Sequence, residues 1–168
     1  MPLFTIVQRA IAGTPLWVWG LLAALVVLGL IQARARTIGE VRLAVMPLAL
    51  AAYSFYGLTL LFGFTVAGAF AWAVGVATSL GTGIAMGRLA GARYLPDSRR
   101  FVVPGSWIPL AAILAIFLSR YVVAVSLAMQ PDLRQVTAFA IGTSLACGLL
   151  GGFFPARALR VWSQRSAH

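Results

Sequence analysis

Five long apolar stretches constrain the fold of this chain more than any other feature of its sequence. Hydrophobic residues make up 61% of the 168 residues and charged residues 10%, whereas a soluble domain is about 45–50% apolar and about 25% charged. A helix needs about 20 mostly apolar residues to cross a hydrocarbon core about 30 Å thick. The chain is therefore predicted to be an all-α, polytopic membrane protein, a compact bundle of five transmembrane helices within one transmembrane domain covering residues 1–168. The predicted spans are residues 15–31, 43–61, 66–86, 107–129 and 133–154.

Residues near the ends of the spans indicate where several of the helices begin and end. Thr14 is placed to cap the first helix and Ser106 to cap the fourth. Asp132, followed three residues later by Gln135, resembles a capping box before the fifth helix. Pro155 is expected to end or bend that helix, because proline lacks the N–H that a helix interior needs.

Two segments lie outside the spans. Residues 1–12 are too short to cross a membrane and do not resemble a signal peptide. Apolar residues recur there at helical spacing, which predicts a short helix in the membrane interface. A disordered start is the equally weighted alternative. In the predicted cytoplasmic loop, residues 88–106, short apolar stretches flank Pro96, Asp97 and Ser98 and predict a small hairpin or ordered turn.

The arginines predict how the helices are oriented. All 13 basic residues are arginine and only three residues are acidic, which gives a net charge of +10. Because short cytoplasmic loops are rich in arginine, the side with most of them is expected to face the cytoplasm, with the N-terminus outside and the C-terminus inside. Membrane orientation then explains the positive charge, so a nucleic acid partner is not predicted. Ten arginines share that side (Arg34, Arg36, Arg42, Arg88, Arg93, Arg99, Arg100, Arg157, Arg160 and Arg165), Arg9 and Arg134 lie opposite, and Arg120 falls within a span.

The arginine-rich side also predicts contact with lipids. Anionic phospholipids attract nearby arginines by about 1 kcal/mol each, so membrane lipids are expected partners, although orientation alone would explain these residues. A homo-oligomer and an unidentified membrane protein are alternative partners. The predicted head-group rim consists of Arg34, Arg36, Arg99, Arg100, Arg157 and Arg160.

Arg120 needs an explanation of its own, because it lies near the middle of the fourth predicted span. Insertion scales assign a cost of about 2.5–3.5 kcal/mol to an arginine at such a depth. All three carboxylates of the chain fall at or beyond the ends of the spans, so hydroxyls are the expected neighbours. Counting inward along each span places Tyr53, Ser54, Tyr56, Thr78, Ser79, Ser119, Tyr121, Thr143 and Ser144 near the depth of Arg120.

Two interpretations of Arg120 follow. In one, its guanidinium is the fixed charge of a mid-membrane polar site for a small anion or a lipid head group. In the other, the guanidinium holds helices together by bonding to hydroxyls and carbonyls, which is common in membranes. An Arg120→Gln variant that folds normally but loses function would favour the first interpretation, and loss of the protein itself the second.

Small residues predict which helices pack closely. Gly83 and Gly87 on the third span, and Gly148 and Gly152 on the fifth, each form a small-x-x-x-small pair. Such pairs let helix backbones approach one another. Packing of spans three and five within the chain is favoured over homodimerisation.

Residues that could support catalysis or hold a metal are scarce. Cys147 is the only cysteine and His168 the only histidine, so metal or haem sites, which group several such residues, are not expected. No serine has a histidine base, there is no lysine, and no pair of buried carboxylates is expected. The sequence therefore predicts a protein that is not an enzyme and has no cofactor.

Several runs resemble a known family. These are residues 14–19 with 32–36, residues 99–110, the pair 120–121 and residues 156–162. They resemble small multi-pass bacterial inner-membrane proteins that are described only as a domain of unknown function. The resemblance implies a location in the bacterial cytoplasmic membrane and carries no activity, cofactor or catalytic residue. The chain is more faintly similar to small membrane proteins linked to cytochrome c maturation, although the lone cysteine argues against thiol or haem handling.

Three functions are carried forward, of which a membrane-bound enzyme is the least favoured. The leading prediction is a non-enzymatic accessory or assembly factor, because nothing in the chain is arranged for chemistry. The alternative is a small anion or lipid transporter or channel subunit that uses Arg120 at mid-membrane. A continuous polar cavity around Arg120, lined by spans two to four, would favour transport. A dry, tightly packed Arg120 would favour the accessory role.

Overall fold

Five long helices make up most of the part of the chain that the structure describes. A computed structural model describes residues 13–87 and 89–167, so the predicted interfacial helix within residues 1–12 lies outside the described residues. The helices are α1 (Leu16–Gln32), α2 (Glu40–Phe62), α3 (Val66–Ala85), α4 (Ile108–Met129) and α5 (Thr137–Trp162). Short 3-10 helices follow α4 and α5, at Pro131–Gln135 and Ser163–Ala167.

Four helices of the described chain, α2 to α5, are long and apolar enough to cross a membrane. The first helix, α1, has 17 residues, and at 1.5 Å per residue it is about 26 Å long. This is shorter than a hydrocarbon core of about 30 Å. The structure thus indicates a multi-pass membrane protein with four candidate spans, while the fifth span stays a prediction.

The ends of α1 and α4 differ in how they are capped. Trp107, and not the predicted Ser106, occupies the N-cap position of α4, although Ser106 Oγ accepts a hydrogen bond from the Ile108 N–H at 3.2 Å. The predicted cap at Thr14 is wrong, because Pro15 occupies the N-cap position and no side chain caps the helix. Thr14 Oγ1 instead hydrogen-bonds the Tyr121 hydroxyl at 2.7 Å. That bond joins the start of α1 to α4.

The last long helix, α5, starts later and ends later than the sequence predicts. Pro131–Gln135 form a 3-10 helix instead of a capping box, so α5 begins at Thr137. Pro155 does not end the helix, which continues to Trp162. A Cβ on Gly83 of α3 would lie 2.7 Å from the Ala156 Cβ, so α3 packs against α5 beside the proline. Pro155 has no backbone N–H, so one hydrogen bond is missing from this turn of α5. The contact with α3 stabilises the turn.

A three-stranded antiparallel sheet joins the two loops at one end of the bundle. Its strands are β1 (Arg36–Gly39), β2 (Arg93–Leu95) and β3 (Arg100–Val103), in the order β1-β3-β2. The β2–β3 hairpin confirms the ordered turn predicted for this loop. The pairing of β1 with β3, with Ile38 opposite Phe101, was not predicted.

The sheet packs against the ends of two helices and forms a small core. Leu43 of α2, Phe101 and Val103 of β3, and Val161 of α5 form this core, and Phe101 is completely buried. We call this end of the molecule, where residues 34–42, 93–103 and 157–165 meet, the arginine-rich end. The core links both loops to the end of α5.

Glu40 adds polar contacts to the arginine-rich end. The Tyr94 hydroxyl donates to Glu40 Oε1 at 2.6 Å, and Arg165 NH1 lies 3.8 Å from Glu40 Oε2. The hydrogen bond to this carboxylate, reinforced by desolvation and by its negative charge, raises the pKa of Tyr94. The Arg165 guanidinium also lies 5.9 Å from the Trp162 ring. These contacts connect the residues after α5 to the start of α2.

The helices form two groups. The pair α3 and α5 packs along most of its length, and α2 packs on α5. The other pair is α1 and α4, and α4 meets α5. A cleft separates α1 and α4 from α2 and α5, and it contains the candidate site.

Glycines produce the close approach of α3 and α5, as the sequence predicts. A Cβ on Gly148 would overlap the carbonyl oxygen of Trp72, and one on Gly152 would lie 2.8 Å from the Ser79 Cβ. Gly87 does not belong to this interface: it has a φ of +66° and follows the end of α3, a conformation that favours glycine.

A Gly148→Ala substitution should destabilise the protein. The added methyl would meet the α3 backbone, and overpacking of this kind costs about 1–3 kcal/mol. The matched control is Gly142→Ala on the same helix, where a Cβ meets nothing within 4 Å. Thermal unfolding in detergent measures both variants. Equal unfolding temperatures for the two would contradict the described interface.

Candidate functional site: an arginine-lined cavity

A cavity of about 1630 Å³ lies in the cleft between the two helix groups. It extends from Thr14, Leu61 and Met129 at one end to Arg36 and Arg157 at the arginine-rich end. Its lining residues on α2 start at Arg42 and stop at Leu61, a rise of about 28 Å, close to the thickness of a hydrocarbon core. Small-molecule sites usually measure about 300–1,000 Å³, so the volume suits a long-chain ligand.

The walls of the cavity are mostly apolar and are open sideways. Apolar side chains from α1, α2, α4 and α5, most often leucine, supply most of the lining. The two helices α1 and α2 make few contacts with each other, and lining side chains on both are accessible: Leu28 is 52% exposed on α1, and Met46 is 53% and Leu50 48% exposed on α2. The cavity therefore opens to the surroundings between α1 and α2.

Three arginines meet where the cavity reaches the arginine-rich end. We call Arg36, Arg42 and Arg157, all of which line the cavity, the three-arginine cluster. Desolvation and the neighbouring charge of Arg42 lower the pKa of Arg36, and the charges of Arg157 and Arg36 also repel. Among the described lining residues there is no aspartate or glutamate to offset these charges. The cluster is a site of concentrated positive charge.

Arg120 lies deeper in the same cavity, on α4. Its NH2 donates to the Ser54 carbonyl of α2 at 3.4 Å, the one hydrogen bond that its guanidinium makes with the described residues. The guanidinium lies over Gly57, where a Cβ would be 2.6 Å from Arg120 NH1. An arginine has five N–H donors, so most of those on Arg120 remain available to a ligand.

Hydroxyl groups surround Arg120 in the cavity, as its predicted depth suggests. Tyr53, Ser54, Ser119 and Tyr121 all line the cavity. The Tyr121 hydroxyl is already bonded to Thr14. These groups could orient an anion beside the guanidinium.

The other predicted neighbours of Arg120 lie elsewhere. Tyr56 is 58% exposed and does not line the cavity. Thr78 donates to a carbonyl of its own helix at 2.8 Å, and Ser79 to a carbonyl of α5 at 2.6 Å. Ser144 is buried outside the cavity lining. Counting along the spans predicts the depth of a residue but not the direction in which its side chain points. The helix α3 contributes no described residue to the cavity.

The predicted head-group rim divides into three roles. Arg36 and Arg157 line the cavity. Arg160 Nε donates to the Gly87 carbonyl at 2.9 Å and so caps the end of α3. The remaining arginines are exposed and do not line the cavity: Arg34, Arg99 and Arg100.

Two residues of the site were missed by the sequence analysis, Arg42 and Gly57. A helical face of α2 carries the signal, since Arg42, Met46, Leu50 and Gly57 recur at intervals of four and seven residues. That face lines the cavity. This pattern on α2 predicts a cavity wall only when the face of α4 opposite it is known.

Positive charge is the main chemistry that the cavity offers. Across residues 13–87 and 89–167, no three His, Cys, Asp or Glu side chains lie together as a metal site would require. Guanidinium groups bind carboxylates and phosphates through paired hydrogen bonds. An apolar cavity with arginines at one end and at depth therefore suits a molecule that has an anionic group and apolar chains.

The sequence matches one described family over nearly its whole length. A model of a family of unknown function, DUF6622, matches residues 1–167. The chain belongs to DUF6622. The match confirms the resemblance found in the sequence, while the similarity to cytochrome c maturation proteins stays a prediction. No curated protein and no solved structure matches this member of DUF6622.

An Arg120→Gln substitution should leave this DUF6622 member at least as stable as the wild type. It removes one 3.4 Å hydrogen bond and an intramembrane charge that costs about 2.5–3.5 kcal/mol on insertion scales. Arg160→Gln is the matched comparison and should destabilise by about 1 kcal/mol, because the bond to the Gly87 carbonyl is lost. Thermal unfolding in detergent compares the two. Loss of folded Arg120→Gln protein would show that the guanidinium holds the helices together.

Proposed function

We propose that this protein binds an anionic lipid in the cavity, with the head group at the three-arginine cluster and the acyl chains along the apolar walls. The observation that carries the proposal is a large apolar cavity lined by four arginines and by no described carboxylate. The cavity is not the continuous polar one, lined by spans two to four, that is expected of a transporter, because its walls are mostly apolar and α3 contributes no described residue. It still favours the alternative prediction, a small anion or lipid transporter or channel subunit that uses Arg120, over the accessory role, because Arg120 lies in a cavity and not in a tightly packed interior. The proposed function is non-enzymatic and needs no cofactor.

Charge supplies the selectivity of the proposed site. Acyl chains in a bilayer are already in an apolar environment, so moving them against the cavity wall gains little. An anionic head group, in contrast, offsets the repulsion among Arg36, Arg42 and Arg157. It also receives charge-assisted hydrogen bonds, which are about twice as strong as neutral ones.

The sideways opening favours a lipid over a free anion. A lipid can enter between α1 and α2 from the membrane, because these two helices line the cavity and make few contacts with each other. A free inorganic anion would leave the long apolar walls without a partner. The size and polarity of the cavity therefore fit the whole lipid.

Neutralising the three-arginine cluster should remove anionic lipid from the purified protein. Arg36→Gln, Arg42→Gln and Arg157→Gln together delete the charges at the cavity. The control replaces Arg34, Arg93 and Arg99, which are exposed and outside the cavity lining, with glutamine. Mass spectrometry of co-purified lipids should show anionic phospholipid on the wild type and the control, and a loss of about tenfold or more on the cavity variant.

Two results would overturn this proposal. One is a wild-type protein that carries no more anionic lipid than the bulk membrane composition predicts. The other is an equal loss of lipid from both triple variants, which would mean that net charge, and not the cavity, recruits the lipid.

We further propose that the protein lies in the bacterial cytoplasmic membrane with the arginine-rich end in the cytoplasm. The arginines of residues 34–42, 93–103 and 157–165 all lie at this end, where the positive-inside rule places them. The inner leaflet of that membrane would supply anionic lipid directly to the three-arginine cluster.

A reporter fused after His168 tests this orientation. A fluorescent protein that matures only in the cytoplasm should be bright there, and alkaline phosphatase, which needs the periplasm, should be inactive. The same two reporters fused after Gln130, at the opposite end of α4, should give the reverse result. Phosphatase activity at His168 would contradict the proposed orientation.

A further inference from the structure

The cavity connects the two ends of the bundle, and Arg120 lies between them. Along α2, the Ser54 carbonyl that contacts Arg120 is about 18 Å from Arg42 and about 10 Å from Leu61. The three-arginine cluster thus occupies one end, and Arg120 a position well inside the predicted span. A head group bound at the cluster would therefore meet a second cation on the way to the opposite end.

We propose that the protein moves anionic lipids between the two leaflets, with the head group passing through the cavity and Arg120 binding it on the way. This inference rests on the proposed function, because the lipid must first bind. The lipid crosses down its own gradient. Its acyl chains, which lie along the apolar walls while the head group is at the three-arginine cluster, move through the open side of the cavity into the membrane as the head group passes.

The surroundings of Arg120 fit a temporary binding position. Its guanidinium makes one long hydrogen bond within the described chain, so a passing phosphate can take the remaining donors without breaking a network. Gly57 leaves the space in which the guanidinium lies. Tyr53 and Ser119 line the same part of the cavity and offer hydroxyls to the head group.

Beyond Arg120 the cavity offers polar groups but little charge. Thr14 and Tyr121, hydrogen-bonded to each other at 2.7 Å, line it, and Tyr121 follows Arg120 on α4, about 12 Å along the helix from Met129. A head group leaving Arg120 would pass this hydroxyl pair before reaching the opposite surface. The cations of the cavity therefore favour anionic head groups over zwitterionic ones as far as Arg120.

The sideways opening lets the head group move along the cavity while its acyl chains stay in contact with the membrane. The two helices α1 and α2 make few contacts with each other, and the accessible lining residues on α1 run from Trp17, 69% exposed, to Ile31, 55% exposed. On α2 they run from Met46 to Leu60, which is 68% exposed. The opening therefore extends along most of both helices, so the chains never need to enter a closed channel.

Proteoliposomes with a fluorescent phosphatidylglycerol test the inference. A membrane-impermeant reductant quenches only label in the outer leaflet, so wild-type protein should allow quenching of the inner-leaflet label as well. Arg120→Gln should slow this second phase by about tenfold or more, because a charge-assisted hydrogen bond is lost, while anionic lipid still co-purifies through the three-arginine cluster. Arg134→Gln, an equal loss of charge outside the cavity lining, should behave as the wild type.

A second variant covers the case in which Arg120→Gln does not fold. Gly57→Ala keeps every charge but places a methyl where the Arg120 guanidinium lies, and it should also slow the inner-leaflet phase. Unfolding temperature and gel filtration verify that each variant is intact.

Different failures have different meanings. Wild-type protein that carries anionic lipid but leaves the inner-leaflet label protected would overturn the inference and leave the proposed function standing. Protein that carries no lipid would overturn both. Flux of free phosphate without lipid movement, or equal movement of fluorescent phosphatidylcholine and phosphatidylglycerol by wild type and Arg120→Gln, would also overturn the inference.

Discussion

The packing of β3 against the ends of α2 and α5 is the interaction on which the rest of the structure depends. Phe101, fully buried, brings together the α1–α2 link, the α3–α4 link and the last turns of α5. Because of it, the pair α1 and α4 is fastened at one end to the group α2, α3 and α5. Away from that end the two groups meet where α4 contacts α5 and where Arg120 reaches the Ser54 carbonyl, and the cavity occupies the rest of the gap between them.

The same packing places like charges together. Arg36 belongs to β1, Arg42 to the first turns of α2 and Arg157 to the last turns of α5, so the sheet that joins these segments also builds the three-arginine cluster. Folding therefore concentrates positive charge beside an apolar cavity, an arrangement that an anionic amphiphile would stabilise. Structure and proposed function share one cause, since the contacts that close the arginine-rich end also create its binding site.

The sequence predicts the helices well, because they depend on local composition, and the mid-membrane depth of Arg120 stays a prediction. It also predicts the glycine-mediated packing of α3 and α5, since Gly148 and Gly152 recur at the spacing that such interfaces need. The directions of side chains around each helix depend on which helices are neighbours, and for this reason Thr78, Ser79 and Ser144 are not beside Arg120. The strand β1 was missed because its four residues form a strand only by pairing with β3, more than 60 residues later.

Photo-crosslinking tests the central claim, that an anionic lipid occupies the cavity, most directly. A phosphatidylglycerol with a photoreactive group in its acyl chain would be incorporated into membranes containing the full chain and irradiated, and its adducts would be mapped by mass spectrometry. We expect adducts on cavity-lining residues of α1, α2 and α4, such as Leu28, Leu50 and Phe117, in excess of exposed residues on α3 such as Phe70. Adducts spread evenly over all exposed apolar residues would contradict the claim.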